Sequence, residues 1–351
     1  MIEKRKTDHI QICLSKDVNS HHNYWDDIEL VHRALPEVDF DDIDLSTDLF
    51  GIKLNAPIII SGMTGGTPLG KRINENLAIA AEKLGIGMGV GSQRAGLESP
   101  ELFETYSVVK EHRIPLLIGN IGAPQLINQK KRKGISDKEI ERLFIMIDAD
   151  ILAVHLNYLQ EAVQPEGDLR AEGVISAISV LSRRFPVIVK ETGAGISRNV
   201  AIKLKRAGVM GIDVGGLSGT SFSAVEYYRA LEQGNEEKAN LGRLFWDWGI
   251  PTPASIIEAS VGLPIIATGG IRNGLDVAKA LVLGASAAGI ARRLLKPAME
   301  SPEAVMKEIE GIMNELKVAM FLLGARNVQS LRNSRFIVHG ALRDWFEQME
   351  V

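Results

Sequence analysis

One cysteine, Cys13, stands in 351 residues, so no intramolecular disulfide can form. No Cys/His cluster has zinc-ligand spacing either, which makes a reducing, cytoplasmic setting the expectation. Long apolar runs are also missing. The longest, Ala280 to Ala291, holds Gly284 and Gly289 and falls short of the roughly 18 residues that a bilayer crossing needs. Residues Met1 to Asp8 are charged and lack the apolar centre of a signal peptide, so a soluble, non-secreted protein with no membrane insertion is expected. An excess of one charge is absent as well: 40 Lys plus Arg face 44 Asp plus Glu, for a net charge of -4. Such a balance gives no global field for nucleic acid, so an anionic ligand must be held locally. The run Lys130-Lys131-Arg132-Lys133 has no interleaved aromatics and reads as an exposed loop.

What is present is 45% hydrophobic and 24% charged residues, the composition of a globular enzyme with a large core. Between Ala56 and Arg293, short runs of Ile, Val, Leu and Gly alternate with segments of helical period. The predicted strands are Ile58 to Ser61, Ile86 to Gly91, Leu116 to Asn120, Ile151 to His155, Val187 to Lys190, Gly211 to Val214, Ile265 to Thr268 and Ala287 to Ile290. Their near-continuous apolar character suits parallel strands covered on both faces. Ser136 to Glu139 caps a helix whose apolar face is Ile140, Leu143, Phe144 and Ile147.

An open doubly wound sheet shares this alternation. The choice between the two comes from the strand ends, nearly all of which run into a Gly-rich polar loop: Ser61 to Gly66, Gly91 to Arg94, Gly119 to Gly122, His155 to Asn157, Lys190 to Gly193, Gly215 to Thr220 and Thr268 to Arg272. An open sheet uses mainly the loops at its switch point, whereas a barrel gathers every carboxyl end at one mouth. The expected fold is therefore α/β, a (β/α)8 TIM barrel at 56–293 with an N-terminal extension at 1–55 and a C-terminal helical segment at 294–351. The segment from Thr220 to Leu263, with Phe245-Trp246-Asp247-Trp248, reads as an extra lid or packing insert. Pro302 to Leu323 reads as a long closing helix.

The ends of the last two strands, Thr268 to Arg272 and Gly284 to Gly289, bring small residues to the usual phosphate position of such barrels. Thr220 adds a hydroxyl there. A phosphate at that rim and polar groups elsewhere suit a flat phosphorylated cofactor, best FMN, with Lys190 facing its ring. The plain alternative for Lys190 is a salt bridge to Glu191. Glu161, beside Gln160, is a reasonable Mg²⁺ ligand, or simply a first-turn helix carboxylate. His155 reads equally as a core histidine or a phosphate contact. Arg5, Lys6 and His9 could clamp a diphosphate, though by residue chemistry alone they read as a solvated tail. Arg94, fixed at a strand end, is the better anion ligand.

Taken together and in order, Arg5-Lys6 with His9, Met63-Thr64-Gly65-Gly66, Gly91-Ser92-Gln93-Arg94, His155-Leu156-Asn157 with Gln160-Glu161, Lys190-Glu191, Gly219-Thr220 and Gly269-Gly270-Ile271-Arg272 closely resemble the type 2 isopentenyl-diphosphate isomerases. The resemblance spans Arg5 to about Arg292. It implies interconversion of isopentenyl and dimethylallyl diphosphate with reduced FMN and Mg²⁺, and NAD(P)H as the flavin reductant. In that family the reduced flavin is thought to add a proton to the alkene and remove another. By matching positions, Met63, Thr64, Gly65, Ser92, Asn120, Lys190, Gly215, Thr220, Gly270, Ile271, Arg272, Ala287 and Ala288 would hold FMN. Arg5, Lys6, Ser92, Gln93, Arg94, His155, Asn157 and Gln160 would hold substrate, and Glu161 magnesium. Gln160, Lys190 and His155 are the implied catalytic side chains. A homotetramer or homo-octamer is implied too.

Two further readings share the barrel. IMP-dehydrogenase-like chemistry needs a nucleophilic cysteine in a barrel loop, and Cys13 lies outside the barrel segment. Hydroxyacid oxidation by an FMN enzyme needs a post-strand His-Arg couple, and only His155 offers the histidine. A flavin-binding barrel without turnover is the non-enzymatic alternative.

Overall fold

The computed structural model describes residues 2–130 and 132–349, so Lys131 of the basic run lies outside the described residues, while Lys130, Arg132 and Lys133 are exposed. Eight parallel strands close into a barrel: β1 (Ile58–Ile60), β2 (Gly87–Gly89), β3 (Leu117–Gly122), β4 (Ile151–Leu156), β5 (Val187–Glu191), β6 (Gly211–Asp213), β7 (Ile265–Thr268) and β8 (Ala287–Ile290). β8 pairs back onto β1 through Ala288–Ile58, Gly289–Ile59 and Ile290–Ile60. This is the (β/α)8 TIM barrel expected from the strand ends, and each predicted strand falls within a few residues of an observed one.

Local signals set the helices. Pro68–Leu84 starts on Thr67, whose hydroxyl accepts from the Gly70 N–H, and stops at left-handed Gly85. Asp137–Ile147 opens with Ser136 and Glu139 bonded to each other, and buries Ile140, Leu143, Met146 and Ile147. The closing helix runs Pro302–Leu322. One continuous core joins barrel residues to Ile10 and Trp25 of the N-terminal segment and Leu342 near the C-terminus. Its fully buried aliphatics each contribute about 1.5–3 kcal/mol.

Inside the barrel the lower layers are apolar: Ile59, Ile118, Ile188 and Ile266 pack with Leu49 and Leu54 of the ribbon Thr47–Leu49 and Ile52–Leu54, which plugs the bottom. Phe50 reaches so far in that a Cβ on Gly211 would meet its ring at 2.6 Å. Toward the carboxyl ends the interior turns polar, and His155, Lys190 and Asp213 stand in register across β4, β5 and β6. The N-terminal segment crosses that mouth as helix α1 (Ile2–Ser15) and a strap that follows it. Ser20 N–H donates to Gly219 (2.8 Å), Asn23 to Gly270 (3.1 Å) and the Trp25 indole to Gly269 (2.9 Å). The Thr220–Leu263 insert forms helices Phe222–Glu232, Glu236–Leu244 and Thr252–Glu258. Trp246 packs on His21 and donates to the Asn19 carbonyl, which makes the insert a brace for the strap.

Candidate active site

The carboxyl ends of the strands surround a cavity of about 940 Å³, near the upper limit for small-molecule sites and so roomy enough for a mononucleotide with a second ligand beside it. Arg5, Lys6, Met63, Thr64, Ser92, Arg94, Asn120, His155, Asn157, Gln160, Glu161, Lys190, Gly215, Thr220, Gly270, Ile271 and Arg272 all line it.

Four predicted residues do not. Gln93 is fully buried; its amide donates to the Leu143 carbonyl (2.9 Å) and accepts from the Asn120 N–H (2.9 Å), so it ties β3 to a helix and does not line the cavity. Gly65 lies under Tyr106, whose ring leaves no room for a side chain there. Ala287 and Ala288 belong to the packed body of β8, one facing the barrel interior and the other the helices. The cavity wall there is Gly289, Ala291 and Arg292, one to four residues past Ala288. The reason is that strand composition marks the body of β8, whereas the cavity is lined by its carboxyl end and the residues that follow.

Lys6 and Arg5 are no solvated tail. Lys6 Nζ donates to the Ser92 carbonyl (2.9 Å) and to the Tyr106 hydroxyl (2.5 Å). Burial, reinforced by Arg5, lowers its pKa to about 7. His9 bonds Glu226 Oε1 at 2.8 Å, and the same carboxylate accepts from Gln160 (3.2 Å) and Arg229 (2.9 Å). Glu226 and Arg229 were missed in the sequence; their i,i+3 spacing on the insert helix is also that of an ordinary solvated pair.

His155 Nδ1 lies 2.7 Å from Asn120 Oδ1, and Asn120 Nδ2 donates to Val90 (3.0 Å). That network assigns the proton to Nδ1 and leaves Nε2 an acceptor. Burial, then Lys190, Lys6 and Arg5, push the imidazole down to about 3, so it is neutral. Lys190 Nζ donates to the Glu191 carbonyl (2.7 Å), not to its carboxylate. The Glu191 side chain instead accepts from the N–H groups of Thr192, Gly193 and Ala194 at 2.5–2.7 Å, which shapes the β5 loop.

Arg94 is shared between Glu98 (2.9 Å) and Asp168 (3.4 Å). Glu161 accepts from Asn157 (3.0 Å), Gln164 (2.5 Å) and the Asp168 N–H (2.7 Å), and burial raises its pKa. Among the described residues no group of three His, Cys, Asp or Glu side chains could cage a metal. Arg272 spends four N–H donors on Asp26 and Asp276 and keeps one toward the rim. Arg292 donates to Cys13, Asn19 and Lys16 and pins the strap.

A flavin phosphate fits this wall. It presents backbone at Gly219, Gly269, Gly270 and Gly289, where a Cβ would collide with neighbouring segments, and Gly269 and Gly270 take φ +121° and +77°. Across the mouth, the buried Thr64 Oγ1 and Asn157 Oδ1 have no protein partner.

The profile of the FMN-dependent dehydrogenase family matches residues 4–101 and 251–338, just over half of the chain. An isopentenyl-diphosphate delta-isomerase of Thermoplasma acidophilum is 53% identical over 99% of this chain and 99% of its own length. Its namesake in Methanosarcina barkeri is 49% identical over 98% and 94%. Among solved structures, a flavocytochrome b2 variant superposes with TM-score 0.68 at 19% identity, covering 98% of this chain and 85% of that one. A mandelate oxidase variant carrying a monooxide FMN adduct gives 0.60 at 19% identity, covering 90% and 89%. At such identity these two show the fold alone.

Proposed function

Because this chain belongs to the type 2, FMN-dependent isopentenyl-diphosphate delta-isomerases, and is therefore an isomerase of that substrate, we propose that its mouth holds reduced FMN beside the prenyl diphosphate and a magnesium ion. The observation that carries this reading is the division of the mouth. A glycine wall under the strap suits a phosphate, and a cluster of cations and amides opposite it suits a diphosphate. Bound reduced FMN supplies the acid and base for shifting the double bond, a redox-neutral change in which one proton is added and another removed.

The chain's own residues do the rest. Gly270, Ile271, Thr220 and the backbone at Gly289–Ala291 would hold the flavin phosphate, and Met63, Thr64, Ser92, Asn120 and Lys190 its ring side. Lys190 brings a fixed positive charge to that wall. Arg5, Lys6 and Arg94 bind the diphosphate, with Asn157 and neutral His155 adding polar contacts. Remote binding of this kind positions an alkene that offers no polar handle of its own. Gln160 is held between Glu226 and Asn157, and so can orient the reacting carbons without exchanging a proton itself. α1 covers the mouth with Ile10, and Phe222 and Leu295 add apolar wall, which keeps water from a cationic centre. Glu161 alone cannot cage Mg²⁺; it suits an ion whose other ligands are diphosphate oxygens and water.

NAD(P)H is the inferred reductant. The single cysteine supports a cytoplasmic setting, and no helix among the described residues is long and apolar enough to cross a membrane. We read 1–55, 56–293 and 294–351 as one unit, and exposed Leu244 and Trp248 as surface for a tetramer or octamer. The test is an anaerobic assay with FMN, Mg²⁺ and a reductant, following isopentenyl diphosphate by NMR. Dimethylallyl diphosphate should form; its absence, with hydroxyacid dehydrogenation instead, overturns the reading.

A further inference from the structure

Beneath the mouth the barrel holds a carboxylate that none of these roles uses. Asp213 ends β6 and is 5% exposed. Its register partner on β5 is Lys190, and partners in register point to the same face, so both side chains enter the barrel. They border one void of about 20 Å³, together with Ser61 and Asn120. The Thr268 hydroxyl and the Gly215 N–H (3.3 Å) both donate to the Asp213 carboxylate, and Thr268 Oγ1 lies 3.2 Å from Ser61 Oγ.

Two other titratable groups neighbour Lys190. From β4 comes His155, which is neutral; from β5 itself comes Glu191, whose carboxylate turns to the opposite face and is filled by three backbone donors. More distantly, Arg5 and Lys6 add positive charge at the mouth. That leaves Asp213 as the carboxylate on the ammonium's own side of the barrel. Burial raises the Asp213 pKa, and Lys190 works against that rise by favouring the carboxylate.

We propose that Asp213 is a positioning residue of the flavin site: its carboxylate is the counter-charge that holds the Lys190 side chain toward the mouth, and it acts on bound flavin only through Lys190. This rests on FMN occupying the mouth.

The test is Asp213→Asn, nearly isosteric, made in the wild type and in a Lys190→Met background. The readouts are FMN affinity of the apoprotein and the midpoint potential of bound FMN at pH 8. With Lys190 present, D213N should make the potential more negative, because an ammonium no longer held toward the mouth favours the electron-rich reduced flavin less. In the Lys190→Met background no such fall should occur. An unchanged or raised potential in the first case, or an equal fall in both, overturns the proposal. Should D213N not fold, Thr268→Val removes one donor to the carboxylate, and the same pattern, smaller in size, is expected. A wild-type apoprotein that takes up no FMN removes the premise and the proposal together, and is distinguishable from either result.

Discussion

His9 on α1 and Glu226 on the insert helix lie 2.8 Å apart, Nε2 to Oε1, and the carboxylate is wholly buried. This pair fastens the N-terminal clamp to the barrel. Burial by itself would raise the Glu226 pKa, but His9 and Arg229 bring it from the ordinary 4.5 down to about 2. The folded carboxyl thus binds a proton less readily than the unfolded one, and protonation favours unfolding. The contribution is complete above about pH 4.5 and disappears as pH falls toward 2.

Glu226→Gln should therefore cost about 2–3 kcal/mol at pH 7, at or below the low end for a broken buried pair because Arg229 keeps Glu166 and Asp8. The gap from wild type should close between pH 4.5 and 2. Denaturant melts across that range check it, and a gap independent of pH would refute the linkage.

Lys6 gives the same slope in a higher pH window. With its folded pKa near 7 against 10.5, the folded state gives up the proton first, so stability rises with pH between those values. A diphosphate beside Lys6 restores the charge. Binding of inorganic diphosphate at pH 8 should then take up a proton, seen by calorimetry in buffers of different ionisation heat, while His155, held near 3, stays neutral. Lys6→Met should abolish the uptake and weaken binding about tenfold to a hundredfold, the worth of about 1.5–3 kcal/mol. No proton uptake by the wild type would contradict this.

The fold was legible because apolar strands ending in glycine-rich loops admit few closed arrangements. The site was legible where a residue stands near the carboxyl end of a strand or in the loop that follows, as His155 near the end of β4 and Ser92 after β2 do. Gln93 shows the limit: it too follows a strand, yet one rotation of the chain turns it from the mouth into the core. Asp213 could have been found, since a carboxylate in a strand covered on both faces must have a partner. Glu226 carried no such signal, because its burial depends on α1 folding back across the mouth.

Gln93→Leu separates packing from binding. It leaves the Asn120 N–H and the Leu143 carbonyl without their partner, at about 1–3 kcal/mol of stability. Affinity for diphosphate should stay near the wild-type value in a calorimetric titration. A large loss of affinity with unchanged melting would restore Gln93 to the substrate site.

Gly270 tests the phosphate wall. Its φ is +77°, and an added Cβ would run into the Ser218 backbone carbonyl as well as its Cβ at 2.6 Å, so Gly270→Ala combines strain of about 1–3 kcal/mol with a shifted wall. FMN affinity of the apoprotein, measured by fluorescence quenching, should drop at least about tenfold. Gly284→Ala is the control: φ is +107°, but its Cβ would meet nothing nearer than Ser260 at 3.9 Å, away from the mouth. It should lower stability and leave FMN affinity unchanged. Equal affinity in both variants would remove the wall from the flavin site.

Glu161 tests the metal. Its carboxylate is buried, already accepts three hydrogen bonds, and belongs to no group of three acidic or histidine ligands among the described residues, so it has little affinity for a divalent cation alone. Magnesium should therefore bind only together with diphosphate, and diphosphate binding should tighten with added Mg²⁺ in the wild type. Glu161→Gln keeps the shape and removes the charge, so this tightening should shrink about tenfold or more. Because burial raises the Glu161 pKa, the wild-type Mg²⁺ effect should weaken on acidification at a higher pH than an ordinary glutamate would give. Calorimetry of inorganic diphosphate with and without Mg²⁺, from pH 8 to pH 5, reads both effects. Equal Mg²⁺ dependence in the two proteins would assign the ion to the diphosphate and water alone, with Glu161 left to hold the Asn157–Gln164 turn.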